Sequence, residues 1–168
     1  MIRKHKKFKR PKNAFDLSRI NSENDIVKKY GLKNKKEIWK AKAKLEIIRN
    51  TAKTLIDSDE ERQERFLIKL KSQGFNVKTT VDVLALTEED ILKRRLQTIV
   101  LNRKLATTPR GARQLITHKH VAINSRIVDV PSYLVPINEE EKIKTTLNKK
   151  IKMAKEKSEE PMEEIENA

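Results

Sequence analysis

Between Asp90 and Asp129 the chain carries no acidic residue. Asp and Glu make up 24 of its 168 residues, so a stretch of this length would hold about five by composition alone. The stretch does hold Lys93, Arg94, Arg95, Arg103, Lys104, Arg110, Arg113, Lys119 and Arg126, with His118 and His120. A one-signed run without apolar order would be a solvated tail. This run is ordered: Leu92, Leu96, Ile99 and Val100 form one apolar stripe, and Ala112, Leu115 and Ile116 form another at helical spacing. The segment must therefore fold, and fold with a surface of one sign. A folded module stripped of negative charge faces a polyanion, which for a soluble chain means nucleic acid.

The local signals within the stretch are strong. Arg94, Arg95, Thr98 and Asn102 fall opposite the first apolar stripe, and Arg103 falls near it, past the packed turn or snorkelling outward. Thr108-Pro109 predicts a helix start, with Thr as N-cap and Pro at the first helical position. On that helix Arg110, Arg113, Gln114 and Thr117 share the side opposite the core. From His120 to Val128 two short strands flank an Asn124-Ser125 turn. Pro131 and Pro136 bracket a further extended piece, Ser132 to Val135.

The rest of the chain is mostly helical in pattern. Residues 1–12 are dominated by Lys and Arg without an apolar face, an arm that orders on a partner. Residues 13–34 are mixed, with a short helix from Asp25 to Tyr30 stopped at Gly31. From Lys35 a helix pattern runs through Ile38, Ala41, Leu45, Ile48, Ala52, Leu55 and Ile56. Asp57-Ser58-Asp59 breaks it. Ser58 with Glu61 predicts a capping box for a helix over residues 59–73, closed by Gly74. Residues 75–86 are expected to connect. Thr87 caps another helix, with Glu88, Glu89 and Asp90 in its first turn, where the helix dipole favours them. Residues 142–157 are Lys-rich, with Ile143, Leu147 and Ile151 at four-residue spacing that points to a helix. The acidic end is expected to be disordered.

These signals predict a mainly helical α+β chain. Its parts are a basic arm (1–12), a helical lobe (13–93), a small nucleic-acid-binding module of two helices and a β-hairpin with extra short strands (94–158), and an acidic tail (159–168). The formal net charge of +15 is comfortable only when a partner neutralises it. No cysteine is present, which excludes disulfides, zinc-thiolate sites and thiol chemistry. Gly totals three, so no glycine-rich phosphate loop exists, and no His-x-Glu pair suggests a metal. Capping accounts for the carboxylates at residues 88–90. No catalytic residue, cofactor, metal or small-molecule substrate is expected. Without an h-region, a long apolar run or an anchored amphipathic helix, no membrane role and a cytoplasmic location are expected.

Four segments carry a resemblance: Arg-Arg-Leu-Gln (94–97), Thr-Pro-Arg-Gly-Ala-Arg-Gln-Leu-Ile (108–116), His-Lys-His-Val-Ala-Ile-Asn (118–124) and Val-Pro-Ser-Tyr-Leu-Val (130–135). They resemble the small RNA-binding module named after ribosomal small-subunit protein four. Pro-Lys-Asn-Ala-Phe (11–15) and Lys-Lys-Tyr-Gly-Leu-Lys-Asn-Lys-Lys-Glu-Ile-Trp (28–39) look like the archaeal form of that ribosomal family itself. The likeness spans roughly residues 1–150, and the lack of cysteine fits the form without a zinc knot. One departure is the hairpin turn, usually Asn-Gly in the family and Asn124-Ser125 here. Ser tolerates positive φ less well.

The resemblance implies a structural protein of the small ribosomal subunit, located in the cytoplasmic ribosome. It implies direct binding to small-subunit (16S) rRNA near a multi-helix junction, a part in nucleating assembly, and contact with neighbouring protein five that bears on decoding accuracy. A-form RNA hides its bases in a deep groove, so a binder reads phosphates, 2′-hydroxyls and shape. Arg suits that task because its planar fork engages phosphate oxygens in pairs. The residues expected to meet RNA are Arg3, Lys4, Lys6, Lys7, Lys9 and Arg10 in the arm, then Lys33, Lys35 and Lys36, with Tyr30 either stacking on a base or packing on Trp39. In the module they are Arg94, Arg95, Thr98, Asn102, Arg110, Arg113, Gln114, Thr117, His118, Asn124 and Arg126, presented outward. Competing readings are a heat-shock-type ribosome-associated factor, a general structured-RNA binder and a DNA-compacting protein.

Overall fold

The computed structural model describes residues 7–145. Helix α1 spans Leu17–Tyr30, longer than the short helix ending at Tyr30 that the sequence suggests. Its start is set by Asp16, whose carboxylate accepts the Ser18 and Arg19 N–H groups at 3.1 and 3.4 Å. Phe15 and Leu17 beside that cap are exposed, so no apolar periodicity announces the first turns. Gly31 ends the helix at φ +59, and Leu32 N–H returns to the Val27 carbonyl at 3.1 Å, a Schellman closure.

Helix α2, Lys36–Leu55, buries Ile38, Ala41, Leu45 and Ala52, as its period predicts. Trp39 is half-buried, and its indole N–H donates to Glu23 of α1 at 2.9 Å. Arg19 donates to the same carboxylate at 2.8 Å, so a buried Glu23 ties α1 to α2. Helix α3, Glu60–Ser72, starts without the predicted Ser58–Glu61 box. The Ser58 hydroxyl instead donates back to the Leu55 carbonyl at 2.8 Å, closing α2 rather than opening α3. Residues 75–86 are not a plain connection: they include α4, Thr80–Ala85. Thr79 and Asp82 form a reciprocal capping box, with N–H to carboxylate at 2.9 Å and N–H to hydroxyl at 3.3 Å. Helix α5, Glu88–Lys93, opens with Thr87 donating its N–H and hydroxyl to Asp90, each at 2.9 Å. Both α4 and α5 pack on α2. The resulting core runs from Tyr30 to Leu92 and includes Leu70, Phe75, Val77 and Val83.

The apolar stripe expected to run on from Leu92 as one helical face is interrupted. Arg94 ends α5, and Arg95 is extended at φ −73, ψ 145, bridging to Leu134. A new helix, α6, covers Leu96–Asn102 and packs on α7, Pro109–Thr117. Strands β1 (Val121–Ile123) and β2 (Arg126–Ile127) form the hairpin, with Ile123 opposite Arg126. Asn124 and Ser125 take φ +49 and +70, so the turn keeps two left-handed residues although the second is not glycine. Strand β3, Ile143–Thr145, adds to the other side of β1, giving antiparallel order β2-β1-β3. Ile143 was expected on a helix over 142–157. It is a buried strand residue facing Ile123 instead, and the remainder of that segment and the acidic tail lie outside the described residues. The piece between Pro131 and Pro136 is extended only at its end, because Tyr133 N–H first closes a turn on the Val130 carbonyl at 3.2 Å. A short helix, α8 (Ile137–Glu140), follows. This module has its own core of Leu96, Ile99, Val100, Ala112, Ile116, Val121, Ile123, Val135 and Ile143.

Candidate nucleic-acid interface

The module's outer surface is built from three chain turns. Thr108 caps α7 by accepting the Gly111 N–H at 3.0 Å, with Pro109 in the first turn as predicted. This phase turns Ala112 and Ile116 inward and leaves Arg110, Gln114 and Thr117 exposed. Thr117 anchors its hydroxyl on the Arg113 and Gln114 carbonyls at 3.0 and 3.1 Å, leaving its oxygen outward as an acceptor. Beyond α7, His118 is exposed and its ring lies nearly parallel to that of His120, 20° between planes and 6.4 Å between centroids. Asn124 and Arg126 are exposed at the hairpin tip, and Asn102, Arg103 and Lys104 at the end of α6. Among the described residues Arg110 and Arg126 have no carboxylate partner, and no Asp or Glu occurs in any of these segments.

Three arginines expected outward belong elsewhere. Arg95 is buried at 5% exposure and donates to Glu37 of α2 at 2.5 Å. The extended backbone at Arg95 causes this: it breaks the helical phase and turns the side chain toward the helical lobe. Arg113 binds both oxygens of the same Glu37 carboxylate, at 2.9 and 3.3 Å. Arg94 lies over Gly74, where a Cβ would sit 2.4 Å from its guanidinium. It donates to the Gln73 carbonyl at 3.1 Å, the Val135 carbonyl at 2.8 Å and Glu140 at 2.9 Å. These side chains are a seam between lobes, not an outer face. Burial alone would raise the Glu37 carboxyl, but hydrogen bonds from Arg113 and Arg95, and their charges, hold it below its ordinary value.

Gln97 completes the seam. Its buried amide nitrogen donates to the carbonyls of Tyr30 (3.0 Å), Gly31 (3.1 Å) and Pro109 (2.9 Å), while its oxygen accepts from Arg113 at 3.3 Å. Gly31 and Pro109 are so close that a Cβ on residue 31 would lie 2.7 Å from the Pro109 Cβ. Neither Glu37 nor Gln97 was singled out from sequence. The only local hint was a Glu in the first turn of a helix and a Gln flanked by a buried stripe.

Tyr30 is not a stacking platform. It is 7% exposed, and its hydroxyl donates to Glu89 at 2.9 Å. Burial and that carboxylate both push its ionisation upward. Thr98 is half-buried and donates to the Leu92 carbonyl at 2.7 Å. Lys33 and Lys36 are exposed, whereas Lys35 is half-buried, with Nζ 3.4 Å from the Ile20 carbonyl and 3.7 Å from Glu23. Lys7, Lys9 and Arg10 are exposed, Lys9 standing 3.6 Å from Glu46. Arg3, Lys4 and Lys6 lie outside the described residues. No group of three or more His, Cys, Asp or Glu among the described residues could hold a metal, and no helix there is long and apolar enough to cross a membrane.

Residues 94–140 match the model of the S4 domain family. Over 148 residues the chain is 45% identical to small ribosomal subunit protein uS4 of Thermoplasma volcanium, covering 83% of this chain and 74% of that one. It is 41% identical over 145 residues to the protein of the same name from Methanococcus aeolicus, covering 82% of each. The corresponding protein of Nanoarchaeum equitans is 40% identical over 151 residues, covering 85% of this chain and 84% of its own.

Proposed function

The chain belongs to the uS4 family of small ribosomal subunit proteins, and we propose from that membership that it is a structural constituent of the small subunit, bound directly to the subunit's rRNA in the cytoplasm. Its relatives are ribosomal proteins and not enzymes, and neither is this chain. The observation that carries the rRNA reading is the division of the module's cations. Arg94, Arg95 and Arg113 are satisfied at the seam, while Arg110 and Arg126 stand exposed on acid-free segments with no carboxylate partner among the described residues. Unpaired guanidinium groups on a rigid surface suit phosphates, and Gln114, Thr117, His118 and Asn124 beside them suit 2′-hydroxyls and exposed base edges. Lys7, Lys9, Arg10, Lys33, Lys36, Asn102, Arg103 and Lys104 extend the exposed basic surface, with Arg3, Lys4 and Lys6 continuing the arm.

In its finer form the proposal is that the chain binds near a multi-helix junction of 16S rRNA, helps nucleate assembly, and with protein five bears on decoding accuracy. Protein–RNA crosslinking of purified small subunits tests it. Crosslinks from the segments holding Arg110 and Arg126 are expected. Crosslinks confined to residues 1–12 would refute the module's role. Washing subunits in high salt separates the ribosome-associated alternative, since an integral protein stays bound and a factor is released.

A further inference from the structure

Between the lobes, beside the seam, lies a cleft of about 250 Å³. Drug-sized ligands occupy pockets of roughly 300–1,000 Å³, so this one holds about a single ring system. Tyr30, Leu101 and Pro109 supply apolar surface. Most of the polar groups at its edge are already engaged. The Gln97 amide is bound to three carbonyls, and the Thr98 hydroxyl donates to Leu92. Lys29 and Lys93 at the rim are each offset by a carboxylate, Glu89 at 2.6 Å and Asp90 at 2.9 Å. The rim is therefore close to neutral and draws a phosphate poorly, unlike the outer face of α7. Asn102, the exposed last residue of α6, is different. Its amide makes no hydrogen bond among the described residues, and it presents a donor and an acceptor side by side.

A small apolar slot, near-neutral rim and single free amide are complementary to a flat, uncharged, hydrogen-bonding ring. Pro109 is both a wall of the cleft and the residue before Arg110, so the slot adjoins the proposed RNA surface. We infer that the cleft receives one unstacked adenine of the bound RNA, its ring against Leu101 and Pro109 and its Watson–Crick edge read by the Asn102 amide. Single-stranded bases splayed from RNA are recognised in this way, by contact with the ring face and hydrogen bonds to the edge. The inference rests on the rRNA reading above and adds a base-specific contact to it.

The test uses the full chain, deproteinised small-subunit rRNA and dimethyl sulfate, which methylates the adenine N1 of an unprotected Watson–Crick edge. The wild-type chain is expected to protect one adenine that becomes reactive again with Asn102→Ala. Affinity should fall roughly tenfold, the scale of one lost amide–base pair. The dependence of binding on salt should not change, because a neutral contact releases no counterion. Identical adenine protection by wild type and variant overturns the inference. So does rRNA binding by the wild type that protects no adenine, and that outcome leaves the rRNA reading standing. A wild-type chain that does not bind rRNA overturns both.

Discussion

Arg110 and Arg113 sit three residues apart on α7 and do opposite things. Arg110 is exposed with no carboxylate partner among the described residues. The Arg113 side chain is 23% exposed and clasps Glu37 and Gln97. Helix, chemistry and charge are shared; what differs is the carboxylate that α2 brings to one side. A guanidinium held between a partly buried Glu and a buried Gln is committed, because removing its partner strands a charge away from water. One left in solvent costs nothing to keep and is free to meet a phosphate. An acid-free segment is thus not a uniform binding surface. Carboxylates distant in sequence sort its cations into a seam and a face.

The sorting can be broken from either side, by four changes whose expected effects on fold stability run from large to small. Glu37→Ala leaves Arg95 buried and unpaired and should cost about 3–5 kcal/mol in a urea unfolding series. An unmoved midpoint would mean the seam holds nothing. Gly31→Ala imposes a side chain on a left-handed residue and pushes it into Pro109, for about 2–3 kcal/mol lost in the same assay. Acid should act through Glu37 as well. Its folded carboxyl titrates below the ordinary 4.5, so the unfolded chain takes up the proton first as pH falls. The stability it contributes is complete above that ordinary value and disappears as pH drops through the folded one. Glu37→Gln should therefore lose less stability than wild type on acidification, and parallel curves would contradict the pairing. The smallest stability change belongs to the outer face: Arg110→Ala with Arg126→Ala should move stability by no more than about 0.5 kcal/mol. That double variant should still flatten the salt slope of rRNA binding by about one for each phosphate contact removed. A destabilised double variant with an unchanged slope would erase the distinction between face and seam.

Much of the scaffold was legible in sequence for local reasons. The periods of α2 and α7, the Thr108-Pro109 start, the Gly31 and Gly74 stops and the Asn124-Ser125 hairpin are all set by neighbours within a few residues. The exposed Arg110, Gln114, Thr117 and Arg126 followed from the same phase. The start of α1 was missed because its first turn is capped by Asp16 amid exposed apolar residues. Helix α4 is too short to show a period, although its Thr79–Asp82 spacing was a usable capping signal. The inward turn of Arg95 had no local signal at all. Leu92, Leu96 and Ile99 keep helical spacing straight through the break, and the carboxylate that settles the matter is 58 residues away.

That separation has a consequence for how the molecule is made. A chain grows from its N-terminus and its parts fold in that order. Helices α1 and α2 can form while Glu37 and the carbonyls of Tyr30 and Gly31 still face water. Gln97 reaches those carbonyls 67 and 66 residues later, and Arg113 reaches Glu37 only after 76. The two lobes therefore cannot lock until α7 has been synthesised, and the helix that brings Arg113 to Glu37 is the one that carries the exposed Arg110. Docking of Arg113 at the seam and presentation of Arg110 on the outer face become a single event.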